Sequence, residues 1–363
     1  MTVTNAPTPR PGILDIAPYV GGEAAGTVRL ASNEGALGPS PRAVEAYRRM
    51  AGEIHRYPDG GSRALRDAIA ARFDLDAARL VCGSGSDELI GLLVRAYAGP
   101  GDEVLYSEHG FLMYPIAAKS VGATPVTAPE RGLKTDVDAM LARVTPRTRI
   151  VFIANPNNPT GSYLSADELG RLHAGLPSGT LLVVDAAYAE YVSRNDYASG
   201  RELVDRFDNV VMTRTFSKIF ALGSLRLGWA YAPAAVADVL NRVRGPFNVS
   251  GAAQAAGVAA LEDAEFLERS RVHNETWRSW FADAVTALGL TAHPSIGNFL
   301  LVDFKGQSAG KDDAEAARLF LKERGILVRQ MQAYGLPSCL RVSIGTEAEM
   351  RKVAAALKDF LGK

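Results

Sequence analysis

Hydrophobic and polar positions repeat along this chain in two periods, and the switches between them mark out the elements. "SPRAVEAYRRM" and "GSRALRDAIAARF" carry apolar residues at helical spacing. Beyond them the two periods take turns. "ARLVC" reads as a strand, "SDELIGLLVRAYA" as a helix and "DEVLYS" as a strand; "FLMYPIAAKSVG", "TPVTA" and "DVDAMLARV" follow as helix, strand and helix. "RIVFIAN" and "TLLVVD" are short, unbroken, β-branched runs, the pattern of strands covered on both faces. Between them "SADELGRLHAG" opens with Ser165 and Glu168 at capping-box spacing. "NVVMTRT" and "RLGWAYA" continue the sheet. Strands alternating with helices predict crossover units and a mostly parallel sheet.

After "GAAQAAGVAALED" the character changes. A long helix is expected from Ala264 to about Leu288, followed by "NFLLVDF", "ARLFLKERG", "CLRVSIG" and "TEAEMRKVAAALKDFLG" as mixed strands and amphipathic helices. The expected organisation is an N-terminal arm over residues 1–40 that contributes to the small domain, a large α/β domain over 41–265 and a smaller α+β domain over 266–363.

Composition acts mainly by exclusion. The 363 residues suit one large domain and one smaller one, at about 150 residues per domain. Hydrophobic residues make up 47%, charged residues 22%, and acidic and basic side chains balance at 40 each. That argues against a disordered chain or an electrostatically driven nucleic-acid binder, so any anion site must be built locally. Cys82 and Cys339 lie far apart in the sequence and form no metal-like or redox-like pair; buried thiols in a reducing compartment are expected. The N-terminus has prolines where a signal peptide needs an apolar run, and no apolar stretch approaches membrane-spanning length. A cytoplasmic protein with no membrane partner is expected.

The chemistry gathers where strands end, as it does in open α/β sheets. The run "TFSKIFALGSLRLGW" sets Lys218 among Phe216, Ile219, Phe220 and Leu222, with Arg214 and Arg226 on either side and no acid within the run to neutralise the trio. Buried lysines are costly, so this one asks for a task. After "RLVC", Gly83 to Glu88 open a helix with small residues, and bare backbone N–H groups there can grip a phosphate. "RIVFIA" ends in Asn155-Pro156-Asn157-Asn158-Pro159-Thr160-Gly161, and "TLLVV" ends in Asp185, with Tyr188 three residues on. A phosphate cradle, an amide, a lone carboxylate, a phenol and an apolar-flanked lysine form the set that pyridoxal 5'-phosphate needs. A single carboxylate with no partner ligand beside it predicts no metal. The five histidines are scattered, and structural roles are expected for them, His109 included.

With these motifs in order, "SNEGALGPSP", "RYPDG", "GSGSDELI", "NPNNPTG", "DAAY" and "SKIFALGSLRLGW", the chain resembles the class I/II, fold-type I aminotransferases, and within them the histidinol-phosphate aminotransferase branch. The resemblance runs from roughly Leu30 to Thr346. It implies the three-layer αβα pyridoxal-phosphate-dependent transferase fold. It also implies ping-pong transamination of L-histidinol phosphate with 2-oxoglutarate by way of pyridoxamine phosphate. Lys218 matches the lysine that condenses with the cofactor aldehyde, and Asp185 the carboxylate on the pyridine nitrogen. Asn158 and Tyr188 match the pair on the ring's phenolic oxygen. Ser86 and Asp87 align with the residues whose backbone amides receive the phosphate, and Thr215, Ser217 and Arg226 with its other ligands. Phe111 falls where the family stacks an aromatic on the ring. Tyr57 matches a tyrosine that reaches the phosphate across a dimer interface, which implies a homodimer. Arg341 matches the clamp on the substrate α-carboxylate, and Asn33 lies where the family lines the substrate's amino-acid end.

Three departures bear on the substrate and the site. Gly35-Ala36 replaces the usual Asn-Pro and is expected close to the substrate pocket, "EHGFLMY" replaces the usual Pro-Thr, and Ala186 stands where the family often has an acid. An aromatic amino-acid aminotransferase, a decarboxylase on the same fold and a cofactor-sensing regulator are the rival readings. The last lacks a basic N-terminal extension for DNA.

Overall fold

The computed structural model describes residues 9–19, 28–306 and 313–363. In chain order its first strands are β1 (Val28–Leu30), β2 (Leu80–Gly83), β3 (Glu103–Ser107), β4 (Thr124–Ala128), β5 (Glu130–Arg131), β6 (Lys134–Thr135) and β7 (Thr148–Ala154). They are followed by β8 (Leu181–Asp185), β9 (Val210–Thr215), β10 (Gly228–Tyr231), β11 (Thr291–His293), β12 (Phe299–Asp303), β13 (Ile326–Gln330) and β14 (Cys339–Ser343). The earlier helices are α1 (Pro41–Arg49), α2 (Arg63–Phe73), α3 (Ser86–Tyr97), α4 (Met113–Val121), α5 (Val137–Ala142), α6 (Ala166–Ala174) and α7 (Arg201–Arg206). The later ones are α8 (Ala234–Val243), α9 (Gly251–Glu262), α10 (Ala264–Ala287), α11 (Ala314–Glu323) and α12 (Glu347–Leu361).

Seven strands form one sheet in the order β2-β10-β9-β8-β7-β3-β4. Its apolar runs are buried on both faces because successive side chains feed two separate cores. In β7, Val151 and Ile153 join one cluster with α2, α5, α6 and α9, while Ile150 and Phe152 join another with α3, α4 and α8. That is three layers, helix on sheet on helix. Ser165 caps α6 as its spacing predicts: its hydroxyl accepts from the Glu168 N–H, and Glu168 Oε2 accepts from the Ser165 N–H at 2.7 Å.

The topology places the loops. β3, β4, β7, β8 and β9 pair in parallel, so their carboxyl ends lie along one edge. β10 runs back antiparallel between β9 and β2, setting Gly228 opposite Thr215 on one side and opposite Gly83 on the other. The loops after β2, β8 and β9 therefore converge.

The second sheet has the order β1-β13-β14-β12-β11. One face, with Leu300, Val302, Ile326, Leu340 and Val342, packs on α10, α11 and α12. The alternate residues of β14, Cys339, Arg341 and Ser343, face the other way, toward the first sheet's loops. β1, from the expected arm, joins this sheet by pairing parallel with β13, Val28 opposite Ile326. Residues 1–8 and 20–27 of the arm lie outside the described residues. β13, α7 and the β5–β6 hairpin are too short to show a period, whereas α8 carries a readable one, Val236, Ala237 and Leu240 on its buried face, that the sequence reading passed over. Among the described residues no helix is long and apolar enough to cross a membrane.

Candidate active site

The converging loops enclose a cleft of about 370 Å³, and Asp185 and Lys218 both line it. Asp185 ends β8 and is 4% exposed. Tyr114 donates to its Oδ2 at 3.0 Å and Thr213 to its Oδ1 at 3.1 Å. Burial pushes its pKa up to about 6 despite those two donors. Lys218 is half-buried, its Nζ 3.3 Å from the Ser32 carbonyl oxygen and 5.7 Å from the centre of the Tyr188 ring. Burial first, and the Arg341 charge second, bring its pKa down to about 8. An acid raised and an amine lowered in one cleft both approach neutrality, the signature of a chemical rather than a scaffolding site.

The next feature is a cradle. Gly85 caps α3 with a φ of +86° and no side chain receives the helix's first N–H groups, so the amides of Ser86 and Asp87 stay bare. A Cβ on Gly85 would collide with Arg226 Nη2, and one on Gly228 with the Ser86 backbone nitrogen. Only glycine at both positions lets guanidinium and helix end meet. Arg226 itself adopts a left-handed φ of 50°, held by Asp87 Oδ2 at 2.8 Å, the Gly223 carbonyl at 3.2 Å and Ser217 Oγ at 3.4 Å. Strained backbone of this kind persists where neighbours over-determine it. Thr215 and Ser217 line the same end.

The acid-free basic trio of the sequence is corrected here. Arg226 pairs with Asp87, and Arg214 with Glu190 at 2.7 Å, the arginine of the latter pair buried and its acid half-buried. Arg214 sits one residue from Thr213 and from Thr215 on β9 and so projects from the opposite face. Both acids lie far away in sequence, and only the fold supplies them.

The cleft's other wall belongs to the second sheet. Arg341, 5% exposed, donates from Nη2 to the Ala31 carbonyl at 2.7 Å and from Nη1 to Asn158 Oδ1. Its Nε is buried with no hydrogen-bond partner among the described residues. Asn33, at a left-handed φ of 56°, donates from Nδ2 to the Tyr188 hydroxyl at 2.9 Å. Phe111 lines the cleft edge-on to Tyr114, with the ring centres 5.9 Å apart.

Against this geometry stand the comparisons with known proteins. The sequence model described as aminotransferase class I and II matches residues 25–357. The chain belongs to the class I and II aminotransferases. A histidinol-phosphate aminotransferase of Rhodospirillum centenum is 70% identical over 98% of this chain and 99% of its own. One from Paramagnetospirillum magneticum is 63% identical over the same shares. The crystal structure of histidinol-phosphate aminotransferase from Sinorhizobium meliloti in complex with pyridoxal-5'-phosphate superposes with a TM-score of 0.90 at 30% identity, covering 99% of both chains.

Within this aminotransferase the cleft gathers twelve of the thirteen residues singled out in the sequence. The exception is Tyr57. It is 83% exposed and stacks on the partly exposed Phe247, ring centres 4.7 Å apart, away from the cleft of its own chain. Gly35-Ala36 does not line the cleft itself but follows Asn33 and Glu34, which do, and lines a separate small cavity with Tyr191 and Ile219. A Cβ on Gly35 would stand 2.8 Å from the Ala221 Cβ and 2.9 Å from the Lys218 carbonyl oxygen, so a bare glycine lets the chain pass close behind the lysine, one residue after Glu34 of the cleft lining. His109 lies outside the cleft. Its Nδ1 is 3.0 Å from Glu130 Oε2, and its carbonyl accepts from Asn157.

Sequence reasoning missed Tyr114, Thr213, Ser343, Arg329 and Tyr334. Thr213 and Ser343 had a usable signal: each lies an even number of residues from a named site residue on one strand, and so shares its face. Arg329 is the register partner of Arg341 across β13 and β14, a relation set only by the sheet pairing.

Proposed function

We propose that this chain is a pyridoxal 5'-phosphate-dependent aminotransferase that transaminates L-histidinol phosphate with 2-oxoglutarate. One observation carries the reading: a buried acid and a lysine of lowered pKa line one cleft that ends in bare helix amides and an arginine. The residues fit the cofactor. Bare N–H groups at Ser86 and Asp87, with Arg226, Thr215 and Ser217, suit a phosphate. Asp185 suits a protonated ring nitrogen, Asn158 and Tyr188 a phenolic oxygen, and Phe111 a ring face. When bound, the cofactor supplies an aldehyde for the substrate amine and a ring that draws electrons from Cα.

The chain's own residues do the rest. The ionised Asp185 attracts and orients a proton on the partner it faces, which Tyr114 and Thr213 favour by donating to the carboxylate. Lys218, with a pKa of about 8, presents a substantial neutral fraction near pH 7 to 8 and can take a proton from Cα and return it. Arg341 is the fork for the carboxylate of glutamate or 2-oxoglutarate, and its buried Nε, without a partner among the described residues, leaves donor capacity in the site. Asn33 holds the Tyr188 phenol.

The reading extends to a homodimer in which Tyr57 and its exposed stack with Phe247 meet the neighbouring active site. It takes residues 41–265 as the large cofactor-binding unit and 266–363 as the small one, with the 1–40 arm adding β1 to the latter. It places the protein in the cytoplasm, which the two free buried cysteines support. The test is a substrate panel with 2-oxoglutarate as acceptor. Histidinol phosphate should give the highest kcat/KM. A large preference for phenylalanine, or release of carbon dioxide without a pyridoxamine form, would overturn the assignment.

A further inference from the structure

On the second sheet, outside the cleft, three strands bring together three side chains of ligating chemistry. His293 ends β11, Asp303 ends β12 and Cys339 begins β14. Asp303 is the register partner of Cys339 on one side and of Thr291 on the other, and His293 lies two residues beyond Thr291. All three therefore share one sheet face. One imidazole nitrogen, one carboxylate oxygen and the thiol sulfur lie within 4.8 Å of one another.

The imidazole is unsatisfied as it stands. His293 Nε2 is buried without a hydrogen-bond partner among the described residues, and Asp303 Oδ2 is 3.8 Å away, beyond hydrogen-bond reach. A buried nitrogen left bare forfeits the hydrogen bonds it had to water, so it is poised for a partner. The carboxylate is already oriented, because its other oxygen accepts the Lys305 N–H at 3.0 Å. Cys339 is buried, and among the described residues its sulfur has one polar contact, 3.8 Å from Ser338 Oγ.

We propose that His293, Asp303 and Cys339 form a binding site for a thiophilic divalent cation of the zinc type. The donor set of one nitrogen, one oxygen and one sulfur is zinc's, and three protein ligands leave a fourth position for water. Binding forms metal–nitrogen, metal–oxygen and metal–sulfur bonds and releases the thiol proton to solvent. Carboxylate and thiolate together balance the ion's two charges, with Lys305 the opposing charge that acts on both His293 and Cys339. The ion would tie edge strand β11 to β12 and β14 without entering the cleft. The proposal stands apart from the proposed reaction.

The experiment uses the cofactor-loaded protein, freed of metal with a chelator and titrated with Zn²⁺ by calorimetry and with Co²⁺ by absorption. One Zn²⁺ per chain should bind, with proton release, and Co²⁺ should give visible d–d bands of a four-coordinate site. C339S and H293A should each weaken Zn²⁺ binding by more than about tenfold, since even outer partners of a ligand cost that much. C82S, which removes the other thiol, should bind as the parent does. D303N keeps the side chain's shape and should also bind more weakly, which covers the case in which either of the first two variants fails to fold. No saturable uptake, or uptake indifferent to C339S and D303N, overturns the site.

Discussion

Ser343 holds Asn33 twice: its Oγ accepts the Asn33 backbone N–H at 2.8 Å and donates to Asn33 Oδ1 at 3.0 Å. Because the hydroxyl accepts from a backbone N–H, its own proton must go to the amide oxygen. That settles which end of the amide faces Tyr188: Nδ2 donates to the phenol oxygen at 2.9 Å. The phenol proton is then free to point into the cleft.

Removing this hydroxyl should let the amide turn. S343A is expected to lower kcat/KM by roughly 3- to 10-fold, the worth of one neutral hydrogen bond of about 0.5–1.5 kcal/mol. The double variant S343A/N33A should be no worse than N33A, because the serine acts through the asparagine. Additive losses in steady-state kinetics would show instead that Ser343 serves some other partner.

Lys218→Ala removes the amine itself. Borohydride treatment followed by mass spectrometry should find no cofactor mass on the chain, while near-UV circular dichroism stays that of a folded protein. Transamination should fall by at least ~10²-fold, the lower end for loss of a general base. A cofactor adduct persisting elsewhere on the chain would falsify the assignment.

Asp185 carries a stability signature with a definite sign. Its folded pKa of about 6 lies above the ordinary 3.8. Between those values the folded state binds the extra proton, so the group's contribution falls as pH rises through that window. In cofactor-free protein, D185N should therefore gain on the parent between about pH 4 and 6 and hold a constant advantage above. The ceiling is on the order of 3 kcal/mol, at about 1.36 per pKa unit. Thermal unfolding across that range checks it; a gap independent of pH contradicts the buried, ionised acid.

Gly85→Ala tests the cradle. A methyl group there meets Arg226 Nη2, and the residue must hold a φ of +86°. Affinity for pyridoxal 5'-phosphate should drop by at least about tenfold, one hydrogen-bonded charge contact or more. Affinity for pyridoxal, which lacks the phosphate, should hardly change. Equal losses for both ligands would place the effect in the fold at large.

Much of this was legible from local patterns. The parallel sheet showed in "RIVFIAN" and "TLLVVD", because a strand buried on both faces must be apolar throughout. The cap of α6 showed in Ser165 and Glu168, because capping is settled within one turn. Asp185 and Lys218 showed as polar residues at apolar strand ends. Partners from other elements did not show. The acids that answer Arg214 and Arg226 are Glu190 and Asp87. Tyr114 on Asp185, Ser343 on Asn33, and Cys339 beside Asp303 and His293 join stretches that only sheet register and loop convergence bring together.

By itself, then, the chain's order of residues determined its elements, its layers and which groups would carry chemistry, since these follow from periodicity and from side-chain type within a few neighbours. Tertiary structure alone decided the protonation each group prefers, as the pKa values of Asp185 and Lys218 show, and which face each strand turns to the cleft. Desolvation and charge fields depend on distance through space, and distance along the chain does not encode them.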